Sequence, residues 1–459
     1  MKSRCPDGEP PNPRTTEPSN LVSMKSFSYA DITNNPSLLA RPAMTAANLD
    51  ATVSQILLDI RQRGDVAVKE YTLRFDKIAL NELEVSASEL AEAAASLDPA
   101  LKTAIQTAKH NIETFHARQQ STPEVIETMP GVFCWRKNVG IDKVGLYIPG
   151  GTAPLFSTVL MLGVPAKLAG CKEVVLCSPP GADGKIHPAI LFAAQTVGVT
   201  RIFKAGGVQA IGAMAYGTES IPRVYKIFGP GNQYVTAAKQ LVSREQVAID
   251  MPAGPSEVLV CADETADPAF VAADLLAQAE HGIDSQVVLL TFSTDLLQAV
   301  FAEVERQVAL LPRAEITRKA LENSVAVAVN SRAEALEIIN NYAPEHLILA
   351  MGDADAFAEQ VQNAGSVFIG NYTPESVGDY ASGTNHTLPT NGYARAYSGV
   401  SLDSFVKKIT FQRLTIEGLK NIGPTVETMA IAEELVAHQR AVSIRLEKMK
   451  SENLKVKSE

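Results

Sequence analysis

EVVLCSPPGADGKIHPAILFAAQTVGVTRIFKAGGVQAIGAMAYG, residues 173–217, is the stretch on which the fold turns. EVVLCS is a short run of apolar and β-branched residues, the length of a strand. HPAILFAAQTVG has the spacing of a helix and stops on a glycine. RIFKAG then repeats the strand and VQAIGAMAYG the helix. Strands apolar at nearly every position, each followed by a helix, belong to a parallel sheet covered on both faces. Outward from this stretch the rhythm continues. KIFGPG predicts another strand ahead of a helix from Gln233, and EVLVCAD, SQVVLLTF, SVAVAVN, HLILAM and SVFIG read as strands with helical segments between them. The two blocks part near Asp250–Ser256, which predicts two α/β domains.

The flanks read differently. From Asn48 to Gln119 the apolar spacing is helical, as in LDATVSQILLDIRQRGD, and between Val125 and Tyr147 it becomes short alternating runs, strands joined by tight turns. Residues 401–459 predict a short strand, KITFQ, and one long helix from about Thr425 to Lys450. That tail has too little apolar surface to close a core alone, so it is expected to pack on another domain or subunit. The first 23 residues are polar and rich in proline, with no apolar segment of a secretory signal, and Asp7, Glu9 and Glu17 disfavour a transit peptide. The expected organisation is a disordered extension (1–23), a larger α/β domain (24–146 with 256–400), a second α/β domain (147–255) and a C-terminal dimerisation tail (401–459).

A chain of 459 residues exceeds one ordinary core, and 46% hydrophobic with 20% charged residues is a globular balance. The net charge of −10, with Lys and Arg scattered, argues against nucleic acid as a partner. No apolar stretch reaches the roughly 18 residues a membrane span needs. The five cysteines are odd in number and contain no CxxC pair, which disfavours disulfides and thiolate metal cages and favours a reducing, cytoplasmic setting, a plastid being the alternative. Cys261, inside EVLVCAD, reads as a core residue.

Neither GxGxxG nor GxxxxGK[ST] occurs. Instead, glycine-rich turns stand where strands should end: GLYIPGGTAP (145–154), KAGGVQAIG (204–212) and FGPGNQYV (228–235). One such turn is ordinary chain reversal; three in one domain put nucleotide binding on an equal footing with it. QAEHG sets Gln278 and His281 three apart near a helix end, facing one way. PEHL puts Glu345 and His346 at the mouth of a strand, GDYASGTNH carries Asp379 and His386 in a glycine-rich loop, and AEELVAH ends with His438 on the late helix. With seven histidines in the chain, any one of them is more often a hydrogen-bonded structural residue than a ligand. Together they offer nitrogen and oxygen donors without thiolates, a set suited to zinc with positions open to substrate. GxSxG and HExxH are both missing, which disfavours an α/β-hydrolase and a zincin.

GLYIPGGTAPL, KAGGVQAI, KIFGPGNQYVTAAK, IDMPAGPSEVLV, DLLAQAEHGIDSQ, YAPEHLI, AGSVFIG, TPESVGDYASGTNHTLPT and YSGVSLDSF resemble the motifs of the histidinol dehydrogenase family, in that family's order, from about Met24 to beyond His438. The resemblance implies an α/β fold of two incomplete Rossmann-like domains with parallel sheets, plus a small helical tail packed across a homodimer. It implies oxidation of L-histidinol through L-histidinal to L-histidine, the last step of histidine biosynthesis, with two NAD reduced in turn. By the family's pattern Gln278, His281, Asp379 and His438 hold one zinc per subunit. Ser256 and Glu433 join His346 and the zinc ligands around the substrate, and Tyr147, Gln209 and Asn232 line the NAD site. His346 is the base and Glu345 activates water, while His438 and Glu433 come from the partner subunit. An ideal helix would put Glu434, not Glu433, on the face of His438. Ile283 departs from the family's QAEHGPDSQ. The rival readings are a relative acting on another small polar alcohol such as a sulfonated diol, a non-catalytic binding protein that kept the fold, and a zinc hydrolase.

Overall fold

The computed structural model describes residues 24–42, 49–150, 154–245, 247–252 and 254–456. The expected extension at 1–23 and the tip of the first glycine turn, 151–153, lie outside the described residues. In chain order the strands are β1 (Lys25–Ser28), β2 (Val125–Met129), β3 (Val132–Gly140), β4 (Lys143–Tyr147), β5 (Glu173–Ser178), β6 (Arg201–Lys204), β7 (Lys226–Phe228), β8 (Ala248–Ile249), β9 (Glu257–Ala262), β10 (Gln286–Thr291), β11 (Val325–Ala328), β12 (His346–Ala350), β13 (Ser366–Ile369) and β14 (Val406–Leu414). The chain forms two compact units that exchange near Asp250 and Met251.

One unit takes the described residues through Leu49, then Met251–Tyr380 and His386–Gly399. Its sheet has the order β1-β11-β10-β9-β12-β13, and every pairing is parallel. EVLVCA and QVVLLT are buried at every position because helices cover both faces. Val258, Val260, Val287 and Leu289 pack one way, against Leu275, Val300 and Val304. Leu259, Cys261, Val288 and Leu290 pack the other way, against Ile338, Ile339 and Phe357. Each such aliphatic side chain contributes about 1.5–3 kcal/mol of burial. Cys261 is fully buried, and burial pushes its thiol up to about 12, so it serves as a core residue. β1 carries no glycine-punctuated motif and was not anticipated; it adds to the edge of β11.

The other unit takes 50–250, 381–385 and 400 onward. Its parallel sheet runs β6-β5-β4-β7-β8, and a second, antiparallel sheet runs β14-β3-β2. One grouping differs from that expected, and the tail, expected on another domain or subunit, is grouped with this unit. The helices Leu49–Arg63, Asp65–Asp76, Ala87–Ser96 and Pro99–Ala117 belong mostly here, not with 256–400. Their connecting segment runs along the edge of β6, with Val85 N–H on the Ile202 carbonyl at 2.9 Å and Lys204 N–H on that of Leu83 at 2.7 Å. Glu84 and Glu89 pair with Arg201 and Lys204 at 2.7 and 3.0 Å. The tail likewise belongs here, because β14 pairs with β3 along Val406–Leu414. Such partners are non-local and invisible to periodicity. The single long helix expected near the C-terminus is two, Ile416–Ala432 and Val436–Val456. Glu434 turns left-handed between them (φ 59°), and Leu435 N–H closes the first helix on the Ala430 carbonyl at 2.8 Å. Among the described residues no helix is long and apolar enough to cross a membrane.

Candidate active site and cofactor cavity

The helix Arg332–Tyr342 ends on Ala343 in the left-handed conformation (φ 53°), its N–H on the Ile339 carbonyl at 2.8 Å. Pro344 cannot continue a helix, and the chain passes directly into Glu345 and His346 at the start of β12, between β9 and β13. Both side chains are buried. Glu345 Oε2 accepts from the Glu257 N–H at 3.0 Å and from Gln278 Nε2 at 3.4 Å. Three carboxylates surround the His346 ring: Glu345 at 3.7 Å and Glu375 at 3.8 Å from Nδ1, and Asp379 at 3.4 Å from Nε2. Burial opposes a charge on His346, but Glu375, Glu345 and Asp379 outweigh it and push its pKa up to about 10. Burial pushes Glu345 and Glu375 up to about 8. Asp379, also desolvated, is held down by its contact with His346.

Of the residues singled out from the sequence, Gln278, Glu345, His346 and Asp379 come together here. Gln278 ends the helix Pro268–Ala279, with Nε2 3.4 Å from His346 Nδ1. Asp379 lies on a short helix, Glu375–Tyr380, and not in a loop. His386 is in the loop beyond, with Nδ1 2.9 Å from the Asp379 carbonyl. His281 is exposed two residues past the helix end, yet near enough to feel the charges of Asp379 and His346. Ser256, half-buried, precedes β9, and its carbonyl accepts from Gln286 N–H at 3.2 Å. Glu433 and His438, at the junction of the two tail helices, are exposed. Glu375 was missed. Had ESVGD been read as a helix begun by Pro374, Glu375 and Asp379 would have stood one turn apart on one face.

His346, Glu375 and Asp379 each offer a ligand atom within 4.8 Å of the others, a candidate metal site. The donors fit a divalent cation. Among the described residues, Gln278 Oε1, His346 Nε2, Glu375 Oε2 and Asp379 Oδ1 are buried without a hydrogen-bond partner, and three carboxylates against one imidazole leave negative charge to neutralise. Nitrogen and oxygen donors without sulfur suit zinc.

In the other unit, a cavity of about 1420 Å³ is lined by Tyr147, Ser178, Gln209, Asn232 and Asp76, among others. It lies past the carboxyl ends of β4, β5 and β7, where the sheet order reverses on either side of β4 and where open α/β sheets bind ligands. Typical small-molecule pockets measure roughly 300–1,000 Å³, so this one has room for a dinucleotide. Gly207, at φ 55°, opens the helix Gly207–Tyr216, which has no side-chain cap, and its N–H donates to the Tyr147 hydroxyl at 3.2 Å. The Tyr147 phenol is pushed up to about 12, first by burial. Asn232 caps the helix Gln233–Ser243, its Oδ1 accepting from the Tyr234 and Val235 N–H groups. Buried Gln209 Oε1 and Ser178 Oγ have no partner among the described residues, as a polar ligand site requires.

A nucleotide-sized cavity over parallel strand ends, and a buried acid–base pair with cation donors, are together the equipment of a dinucleotide-dependent oxidoreductase. Residues 39–446 match the family model for histidinol dehydrogenase. The chain is 62% identical over 427 residues to a histidinol dehydrogenase of Bacteroides thetaiotaomicron, covering 93% of this chain and 100% of that one. It is 54% identical over 437 residues to a chloroplastic histidinol dehydrogenase of Arabidopsis thaliana, covering 94% and 93%. The crystal structure of histidinol dehydrogenase from Elizabethkingia anophelis superposes with a TM-score of 0.91 at 54% identity, over 93% of this chain and 99% of that one. The chain belongs to the histidinol dehydrogenase family.

Proposed function

We propose that this protein oxidises L-histidinol through L-histidinal to L-histidine with two NAD, the closing step of histidine biosynthesis. The observation that carries the reading is the buried Glu345–His346 pair beside Gln278 and Asp379, in a chain whose family is defined by that reaction. The unit holding 251–380 and 386–399 is the substrate side and the unit holding 50–250 the NAD side. Gln278, His281, Asp379 and His438 would hold zinc, which when bound supplies a positive charge that anchors and orients the substrate's nitrogens. Ser256, His346 and Glu433 contact the substrate as well. Tyr147, Gln209 and Asn232 would hold NAD, which when bound would supply the hydride acceptor for each oxidation. His346 takes the alcohol proton in the first oxidation and the hydrate proton in the second. Glu345, whose Oε2 is anchored on the Glu257 N–H, draws the proton from the water that hydrates the aldehyde. Glu433 and His438 are exposed in the single chain, and the apolar residues beside them, Met429, Ile431, Leu435 and Val436, are exposed too. This supports a homodimer in which each tail completes the neighbouring site.

The test is stoichiometric: zinc-loaded protein should form two NADH per histidinol, lose this on chelation and regain it with zinc. Failure to reduce NAD with histidinol, while a different polar alcohol is oxidised, would overturn the substrate assignment.

A further inference from the structure

Asp76 is the last residue of the helix Asp65–Asp76, where the helix dipole disfavours an anion, and the chain turns left-handed immediately after it at Lys77. Its Oδ2 is buried and has no hydrogen-bond partner among the described residues. Burial raises its pKa, so the position costs stability. The other carboxylates lining the same cavity are engaged. Glu89 pairs with Lys204 at 3.0 Å, Glu92 with Lys185 at 2.9 Å, and Asp183 accepts from the Lys185 N–H at 3.0 Å. Lys185 is thereby committed, and the Arg74 guanidinium lies over the Phe75 ring, 5.4 Å from its centroid.

Asp76 therefore brings an unpaired acceptor to a cavity whose other orphaned polar atoms are the fully buried Ser178 Oγ and Gln209 Oε1. Tyr147 lines the same cavity, and its phenol accepts from Gly207 N–H at the uncapped helix start. An uncapped helix start at a strand end is where a pyrophosphate binds. A ribose is bonded directly to that pyrophosphate, so an unpaired acceptor lining the same cavity is available to ribose hydroxyls. A carboxylate accepts hydrogen bonds from a 2′,3′-diol and repels a 2′-phosphate, which adds a charge of about −1.5 to −2.

We propose that Asp76 determines the cofactor specificity of this site, its carboxylate accepting the ribose hydroxyls of NAD and excluding the 2′-phosphate of NADP. The proposal rests on the reading that this cavity holds NAD. Calorimetric titration of the zinc-loaded protein with NAD and with NADP tests it without relying on turnover. The unsubstituted protein should bind NADP at least about 100-fold more weakly than NAD, the scale of one like-charge contact. Asp76→Asn keeps the shape, removes the charge and relieves the helix end, so it should fold at least as well. It should weaken NAD about tenfold and tighten NADP about tenfold, as a charged hydrogen bond lost and a repulsion removed. Asp76→Ser should collapse the NAD/NADP ratio in the same way, with melting temperature as the control for folding. If both variants keep both dissociation constants within about twofold of the parent, Asp76 does not meet the ribose and the proposal fails. If Gln209→Ala also leaves NAD binding untouched, the cavity is not the cofactor site and the underlying reading fails instead.

Discussion

His346 touches three carboxylates, and what neutralises them decides its chemistry. Their field favours the imidazolium, which cannot accept a proton; a cation held by Gln278 and Asp379, as proposed, would favour the neutral ring. His346→Asn should lower NADH formation by about 10²–10⁴-fold, the usual worth of a general base, while metal analysis still finds one zinc per chain. Retained turnover would remove His346 from the base's role. Glu375 carries a different expectation. It is buried, with Oε2 unbonded, beside the proposed ligands. Glu375→Gln should weaken zinc about 10–100-fold, as loss of a partner around a metal does, read by competition with a chelator. At this scale Glu345, His346, Gln278 and Asp379 were legible in the sequence because each stands in a short polar motif beside glycine or proline. Glu375 was not, because its relation to Asp379 depends on a one-turn helix too short to show a period.

At the scale of elements, the two units use opposite ends of the same α/β arrangement. In the 50–250 unit the cavity meets strand ends and helix starts, the electropositive side that suits a pyrophosphate. In the other unit the acid–base cluster lies at the starts of β9 and β12, where the helices Pro268–Ala279 and Arg332–Tyr342 finish, the electronegative side that suits a cation. Gly229 joins β7 to its glycine turn at φ 127°, and a Cβ there would stand 2.0 Å from the Tyr147 carbonyl oxygen. Gly229→Ala should therefore cost more than about 2 kcal/mol, combining strain with displaced strands, measured by denaturant unfolding, and should weaken NAD. Between the tail helices, Glu434 in the left-handed region makes Glu433, not Glu434, the last residue before the break. This removes the conflict with ideal helix spacing. Glu433→Gln should raise the KM for histidinol, whereas Glu434→Gly should leave KM alone and stabilise the fold by up to about 1 kcal/mol. The reverse pattern would reassign the substrate contact.

For the whole molecule, the proposed dimer makes a quantitative prediction. If His438 acts in trans, an inactive His346→Asn dimer mixed with an inactive His438→Asn dimer should regain about a quarter of full activity after subunit exchange. Half the dimers are then mixed, and each has one intact site of two. No recovery despite exchange, followed by mass spectrometry of the mixed dimers, would place His438 in the site of its own chain. The sequence by itself determined the two parallel α/β blocks, because fully buried strands such as EVLVCA and QVVLLT must be apolar along most of their length, their buried polar starts, Glu257 and Gln286, being paired with Arg41 and Tyr342. It also determined the glycine turns and the polar motifs, which are local. Only the tertiary structure decided that residues 50–117 and the tail join the unit that holds the 143–250 sheet, the first along the β6 edge and the second through the separate β14–β3 pairing, neither of which any periodicity encodes. It alone brought Glu375 to His346 and left Asp76 Oδ2, among the described residues, without a partner. Hydrophobic period reports which face is buried, but not against what; buried charge and unpaired acceptors exist only once distant segments have closed around them.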